Sequence, residues 1–394
     1  MKRLLLATAA GALLAGAAGA EEIKMGMSLG FTGPLESMAP GMAAGAELAM
    51  KEVSESGLLL DGSTVVPVQG DSTCTDAAAA TATVERLITA EGVRGIVGGM
   101  CSGETIASLQ NVAVPNGVVM ISPSATSPAL STIDDNGLFF RTSPSDARQG
   151  EIMAEIMMEK GVQNAAVTYT NNDYGKGLAD AFAAAFQEKG GTVTVNAAHD
   201  DGKADYSAEV AALAAAGGDA LVVAGYVDQG GSGIVRAALD TGAFDRFVFP
   251  DGMVGQALVD NFGSEIDGSF GQNPAAEGEG RDKFLAMAEE AGFDGTSAYS
   301  AEAYDAAALM LLSMAAAKSS DPNVWKNSVM DVANAPGEQI LPGDLAKALE
   351  IINGGGDVDY VGASAVEMVE PGESAGTFRE VSFENGEMTV VGYR

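Results

Sequence analysis

With 54 Asp and Glu against 21 Lys and Arg, a chain of 394 residues carries a formal net charge of −33, which excludes nucleic acid and an anionic membrane face as partners on electrostatic grounds. Acidity of this kind describes a solvated, self-repelling surface and names no ligand. The length suggests two domains at about 100–200 residues each, and one histidine with two cysteines leaves little from which to build a metal centre.

The chain opens on Lys2 and Arg3, an apolar and small run from Leu4 to Ala18, and the triplet Ala18-Gly19-Ala20. That order reads as a secretory signal peptide over 1–20, with cleavage before Glu21. No cysteine follows the cleavage point, so no lipid anchor is expected. The later apolar run Ala306–Ala317, bounded by Asp305 and Lys318, is too short to span a bilayer. The mature chain is therefore expected to be released beyond the inner membrane, into the periplasm of a Gram-negative cell. In an oxidising compartment the isolated pair Cys74 and Cys101 is expected to form a disulfide.

From Glu21 onward short β-type runs alternate with Ala-rich helical stretches. Ile23–Leu29, Val65–Gln69, Gly95–Val97, Val118–Ile121 and Leu138–Arg141 read as strands, with helices near Gly41–Ser56, Thr75–Ala90 and Glu104–Ala113 between them. Such an order implies an α/β fold with a parallel sheet covered on both faces. Pro67 demotes its run to an edge strand, as the order 2-1-3-4-5 requires of a second strand.

After Thr142-Ser143-Pro144 the pattern restarts. A helix at Asp146–Lys160 leads to strands at Ala165–Thr170, Thr192–Ala197, Ala220–Ala224 and Phe247–Phe249, separated by helices at Gly175–Lys189, Tyr206–Ala216 and Gly230–Asp240. From Gln272 the reading gives helices at Arg281–Ala291, Ala298–Lys318 and Pro342–Asn353. Alternating segments at Ala365–Val369, Thr377–Phe383 and Met388–Val391 close the chain.

Two segments imitate nucleophile elbows: Gly26-Met27-Ser28-Leu29-Gly30 and Gly99-Met100-Cys101-Ser102-Gly103. An elbow needs a strand-to-helix turn and a histidine base. Ser28 falls within a strand, Cys101 is claimed by Cys74, and His199 lies in an acidic stretch expected to be an exposed turn. Catalysis is not expected. Asp200, Asp201 and Asp205 lack the ligand spacing of a calcium loop, and no phosphate-binding glycine motif is present, so neither a metal nor another cofactor is expected.

In parallel sheets ligands bind beyond the carboxyl ends of the strands. There the first unit places Ser102, Gly103 and Ser122-Pro123-Ser124-Ala125-Thr126, hydroxyls and free N–H groups suited to a carboxylate. The second places Tyr174, Tyr226 and Asp251, aromatic faces and one carboxylate suited to a cation. Two facing sheets can therefore hold a zwitterion between them. Taken singly, the Ser and Thr residues also fit helix caps and Asp251 a turn.

These segments carry a resemblance. Gly33-Pro34 followed by Gly45-Ala46-Glu47-Leu48-Ala49, then Met100-Cys101-Ser102, Ile121-Ser122-Pro123-Ser124-Ala125-Thr126, Asp173-Tyr174-Gly175-Lys176-Gly177, Asp205-Tyr206-Ser207, Ala224-Gly225-Tyr226 and Pro250-Asp251-Gly252 together resemble the periplasmic solute-binding proteins of branched-chain amino-acid ABC transporters. The resemblance covers nearly all of the mature chain. It implies two lobes joined by three crossovers, the first from 21–141 plus 273–365 and the second from 142–272 plus 366–394, closing on a ligand. It also implies that Ser102, the backbone of Ser124, and Thr126 clamp an α-carboxylate. Tyr226 and Asp251, with a carbonyl of Ser124, would receive the α-ammonium, and Met38, Tyr174, Tyr299 and Tyr304 would line the pocket.

Asp251 stands where members of the family place a glutamate, and Met38 where an aromatic is common. The head group is thus better specified than the side chain. The resemblance implies a monomer that delivers an amino acid, branched-chain types favoured, to an ABC permease without catalysing a reaction. Alternatives on the same fold are an amide, a urea-like compound or an aromatic acid as ligand, or a sensor that reports to a receptor.

Overall fold

The computed structural model describes residues 20–394. The expected signal peptide, apart from Ala20, lies outside the described residues. Two seven-stranded sheets organise the chain. In the first, β1 (Glu22–Leu29), β2 (Thr64–Asp71), β3 (Ile96–Gly98), β4 (Met120–Ser122) and β5 (Phe139–Arg141) run parallel in the order β2-β1-β3-β4-β5. In the second, β6 (Asn164–Thr170), β7 (Thr192–His199), β8 (Ala220–Ala224), β9 (Phe247–Phe249) and β10 (Phe270–Pro274) repeat it as β7-β6-β8-β9-β10. Both halves thus take the expected 2-1-3-4-5 order. Pro67 sits on β2 at the sheet edge, where its missing N–H breaks no ladder.

The remaining strands are β11 (Glu338–Ile340) with β12 (Val358–Tyr360), a separate parallel pair, then β13 (Met368–Val369), β14 (Glu373–Ser374), β15 (Phe378–Glu384) and β16 (Glu387–Tyr393). β13 and β14 extend the first sheet beside β5, whereas β15 and β16 form an antiparallel hairpin on β10. The chain therefore passes between sheets three times. The third passage falls between Ser374 and Phe378 rather than at 365/366. Two-residue strands such as β13 and β14 carry no alternation from which to place them.

Both faces of β1 are buried, Ile23, Met25, Met27 and Leu29 on one side and Gly26 and Ser28 on the other, as a parallel strand covered by two helical layers must be. One cover is the helix Ala39–Ser56, which starts with Pro40 in its first turn and stops at Gly57 in the left-handed conformation. It packs on the helix Ser300–Ala317, whose residues are buried on every side from Ser300 to Ala315. That explains an apolar composition all round. The contact depends on Gly45, where a Cβ would lie 2.1 Å from the Ser300 carbonyl oxygen. Residues late in the chain thereby complete the first lobe.

Candidate functional site

The carboxyl ends of the two sheets face one another across a closed cleft. Its centre is lined by Leu35, Ser102, Tyr174, Tyr226, Asp251 and Tyr299, with Met100, Cys101, Ser124 and Gly252 filling between them, around a space of about 10 Å³, room for about one water.

On the first-lobe side, the helix Ser102–Ser108 starts directly after Cys101. Cys101 is joined to Cys74 with Cα atoms 5.1 Å apart, as expected. Glu104 Oε1 accepts from the N–H groups of Met100 at 2.7 Å and Cys101 at 3.2 Å, which fixes the turn. Burial pushes the Glu104 carboxyl up to about 8. Ser102 Oγ accepts from Ser127 N–H at 3.0 Å, leaving its own proton to donate. Ser124 Oγ donates to the Met100 carbonyl at 2.8 Å, and Ser124 N–H donates to Ser122 Oγ at 3.2 Å. Thr126 is fully buried beside Asp146, its hydroxyl without a well-formed partner. Arg141 holds this loop from beneath through the carbonyls of Ala125 and Ser127 and pairs with Glu373.

On the second-lobe side, Asp251 follows β9 and is 2% exposed. Tyr299, from the other side of the cleft, helps to cover it. Tyr174, at the start of the helix Asp173–Glu188, donates to Asp251 Oδ1 at 2.7 Å, and Tyr299 donates to Oδ2. Tyr299 comes from the first-lobe side, immediately before the helix Ser300–Ala317 and in a left-handed backbone conformation (φ 63°). Its hydrogen bond therefore crosses the cleft. The Tyr226 ring stacks on Tyr174 at 5.2 Å and its hydroxyl accepts from Asn172 at 3.2 Å. Gly252 is required here, since a Cβ would stand 2.6 Å from the Gly225 carbonyl and 2.8 Å from the Tyr174 hydroxyl.

Burial raises the Asp251 carboxyl above its ordinary value, opposed by the hydrogen bonds of Tyr299, Tyr174 and Gln149. The three phenols rise well above the usual tyrosine range, first by burial, with the Asp251 charge adding to each. They stay protonated and act as donors.

Further contacts fasten the lobes at either side of the centre. Asp228 accepts from Ser37 N–H at 2.9 Å through its carboxylate and donates its own N–H to the Pro34 carbonyl at 3.1 Å. Ser127 Oγ donates to the Asp173 carbonyl at 3.0 Å.

Of the residues expected at the site, Ser102, Ser124, Tyr174, Tyr226, Asp251 and Tyr299 converge on this cavity, and Thr126 lies just behind it. Met38 does not; it lines the groove at the cleft's flank with Phe293 and Gly255. Tyr304 is also elsewhere. One helical turn beyond the cleft, its hydroxyl donates to Glu52 Oε2 at 2.5 Å and its ring packs on Phe284, because a helix turns residue 304 away from the direction of 299. His199, expected in an exposed turn, ends β7 fully inside the second lobe. Its Nδ1 lies 2.8 Å from Thr168 Oγ1, and burial pulls it down to about 4. Among the described residues no cluster of metal-ligating side chains is found.

Sequence reasoning missed Leu35, Asn172, Asp146 and Gln149. The last two left a trace: Asp146 and Gln149 are three apart at the head of one helix, the spacing that puts two polar groups on one face.

Two α/β lobes that meet around a small enclosed cavity with one carboxyl at its centre define a cleft-closing binding protein. The profile of the family described as periplasmic binding protein matches residues 22–331, and the chain belongs to that family. Among similar proteins, the Leu/Ile/Val-binding protein homolog 1 of Brucella melitensis is 29% identical over 331 residues, covering 82% of this chain and 86% of the relative. The leucine-binding protein LivK of Thermotoga maritima superposes with a TM-score of 0.78 at 22% identity, covering 94% and 98% of the two chains. LivJ of Streptococcus pneumoniae, solved with isoleucine, gives 0.77 at 23%, covering 94% and 99%. The fold is thus that of the two-lobed type I binding proteins.

Proposed function

We propose that the protein captures a small α-amino acid of the branched-chain type in the periplasm and presents it to an ABC permease, without chemical turnover. The observation that carries the reading is Asp251, a buried carboxylate at the centre of the cleft that accepts from the phenols of Tyr174 and Tyr299, one from each lobe. A buried carboxylate in such a place suits a ligand cation. Opposite it, Ser102 offers a hydroxyl proton for the ligand's carboxylate, with Thr126 buried behind the cavity. The Brucella relative's name, and the isoleucine bound to the structural neighbour, support the side-chain class.

Half of the ligand's partners stand on each lobe, so neither lobe alone binds strongly. A ligand enters when the lobes part and then biases them toward closure by the contacts it makes only in the closed form. The test is a thermal-shift and calorimetry panel on protein unfolded and refolded to strip bound solute. L-leucine, L-isoleucine, L-valine and L-alanine are set against acetamide, urea and 4-hydroxybenzoate. A ligand that binds only the folded state raises its melting temperature. Stabilisation by the aliphatic amino acids is expected; stabilisation by the amides or the aromatic acid alone overturns the reading.

A further inference from the structure

Behind Asp251 lies a second carboxylate that no part of the clamp uses. Asp146 opens the helix Asp146–Glu159 and is fully buried. Its Oδ1 accepts from Gln149 Nε2 at 2.7 Å, while its Oδ2 has no hydrogen-bond partner. Gln149, itself 1% exposed, uses its Oε1 to accept from the backbone N–H of Asp251 at 3.1 Å and from Gln272 Nε2 at 3.4 Å. The side chain is thus oriented from one end by Asp146, and with the other end it pins the backbone of Asp251.

The nearest cation offers little relief, because Arg141 is committed to Glu373, Ser131 and the loop carbonyls of Ala125 and Ser127. Two acids in contact through one amide, in a site closed from water, are costly unless something positive faces them. Asp251 also faces Tyr174 and Tyr299; Asp146 also faces Thr126.

We propose that Asp146 and Gln149 are positioning residues for the cation seat: Gln149 fixes where Asp251 presents its carboxylate, and Asp146 sets the orientation of Gln149, so that ligands carrying an ammonium are selected over analogues that lack it. The proposal rests on the reading of Asp251 as the ammonium's partner. Burial first, and then Asp251, drives the Asp146 carboxyl well above the ordinary range.

Gln149→Met deletes both hydrogen bonds; Asp146→Asn keeps the shape and an acceptor for Gln149 and serves as the conservative variant. Calorimetry with L-leucine and with its desamino analogue 4-methylpentanoate, on the full mature chain, separates placement of the seat from structure. Gln149→Met is expected to weaken leucine by about tenfold and to leave 4-methylpentanoate, which lacks the ammonium, unchanged, while Asp146→Asn keeps the ratio of the two affinities near that of wild type. An equal loss for both ligands in Gln149→Met, or none for leucine, overturns the proposal.

A second measurement needs no ligand. Carboxyl-carbon NMR should show Asp251 titrating at higher pH in Gln149→Met than in wild type, because a hydrogen-bonding partner that favours the ionised carboxylate has gone. An unchanged Asp251 titration overturns the proposal even if leucine proves not to bind, whereas a shifted titration beside failed leucine binding overturns only the choice of ligand.

Discussion

The two walls of the cleft are built on different principles. On the first-lobe wall the polar groups are largely spent within the protein: Ser122 Oγ on the Gly99 carbonyl, Ser124 Oγ on the Met100 carbonyl, Ser102 Oγ on Ser127 N–H, and Glu104 on two backbone N–H groups beside a disulfide. On the second-lobe wall, Asp251 gathers hydrogen bonds from side chains of both lobes, and burial raises its carboxyl above the ordinary value. The first wall is a braced scaffold that spares one or two hydroxyl protons; the second gathers around one buried carboxyl. Ligand energy should therefore be lopsided, with the second wall supplying most of the affinity and the first most of the rigidity.

Asp251→Asn is the most direct way to break that contrast. Truncating one member of a buried charge pair costs about 2–5 kcal/mol, so affinity for the best amino acid should fall by about 30-fold to several thousand-fold. Calorimetry at matched pH checks it. Because Asp251 is buried and two phenols point at it, the variant's melting temperature should be measured beside its affinity. Wild-type affinity in a folded variant would place the ligand's cation elsewhere.

Glu104 probes the scaffold. Its carboxyl is held at about 8 against 4.5 by burial, so the folded state keeps a proton that the unfolded state has already released. Stability should fall as the pH rises from about 5 to about 8 and level off above. Glu104→Gln cannot ionise and keeps an acceptor for Met100 and Cys101. It should remove that fall and exceed wild type at pH 8.5 by roughly 2–5 kcal/mol, while ligand affinity at pH 7 changes little. Denaturant melts across pH 5 to 9 decide it, and a wild type whose stability is flat over that range would show that the site is better solvated than its burial implies.

The smallest effect is assigned to Ser102→Ala. It removes one donor from the carboxylate clamp and also orphans Ser127 N–H, each a matter of about 1 kcal/mol. Affinity should drop about fivefold and stability by a similar free energy. A loss in affinity as large as that of Asp251→Asn would erase the difference between the walls.

Much of this was legible in the sequence, and the exceptions share a cause. The alternation of strands and helices fixed both sheet orders, and Pro67 marked an edge. The strand-end census located Ser102, Tyr174, Tyr226 and Asp251, because parallel sheets put their ligand groups in one predictable place. Tyr299 and Tyr304 both looked eligible from sequence, and only the start of the helix at Ser300 decides which of them points inward. His199 was expected to be exposed because turn residues usually are, and no local feature marked Asp251 as buried. Lobe closure and packing against residues distant in sequence bury them, and neither leaves a local signature. Asp146 and Gln149 went unnoticed because a polar pair at a helix start ordinarily faces water.

The first sheet begins with β1 and is finished by β14 near the chain's end, and its helical cover includes Ser300–Ala317. A lobe assembled from both ends of a polypeptide must bring together segments more than two hundred residues apart, and such distant closures slow folding. Until Ser374 has emerged from synthesis the first lobe lacks part of its own sheet. The topology that lets the lobes share three passages therefore also delays compaction.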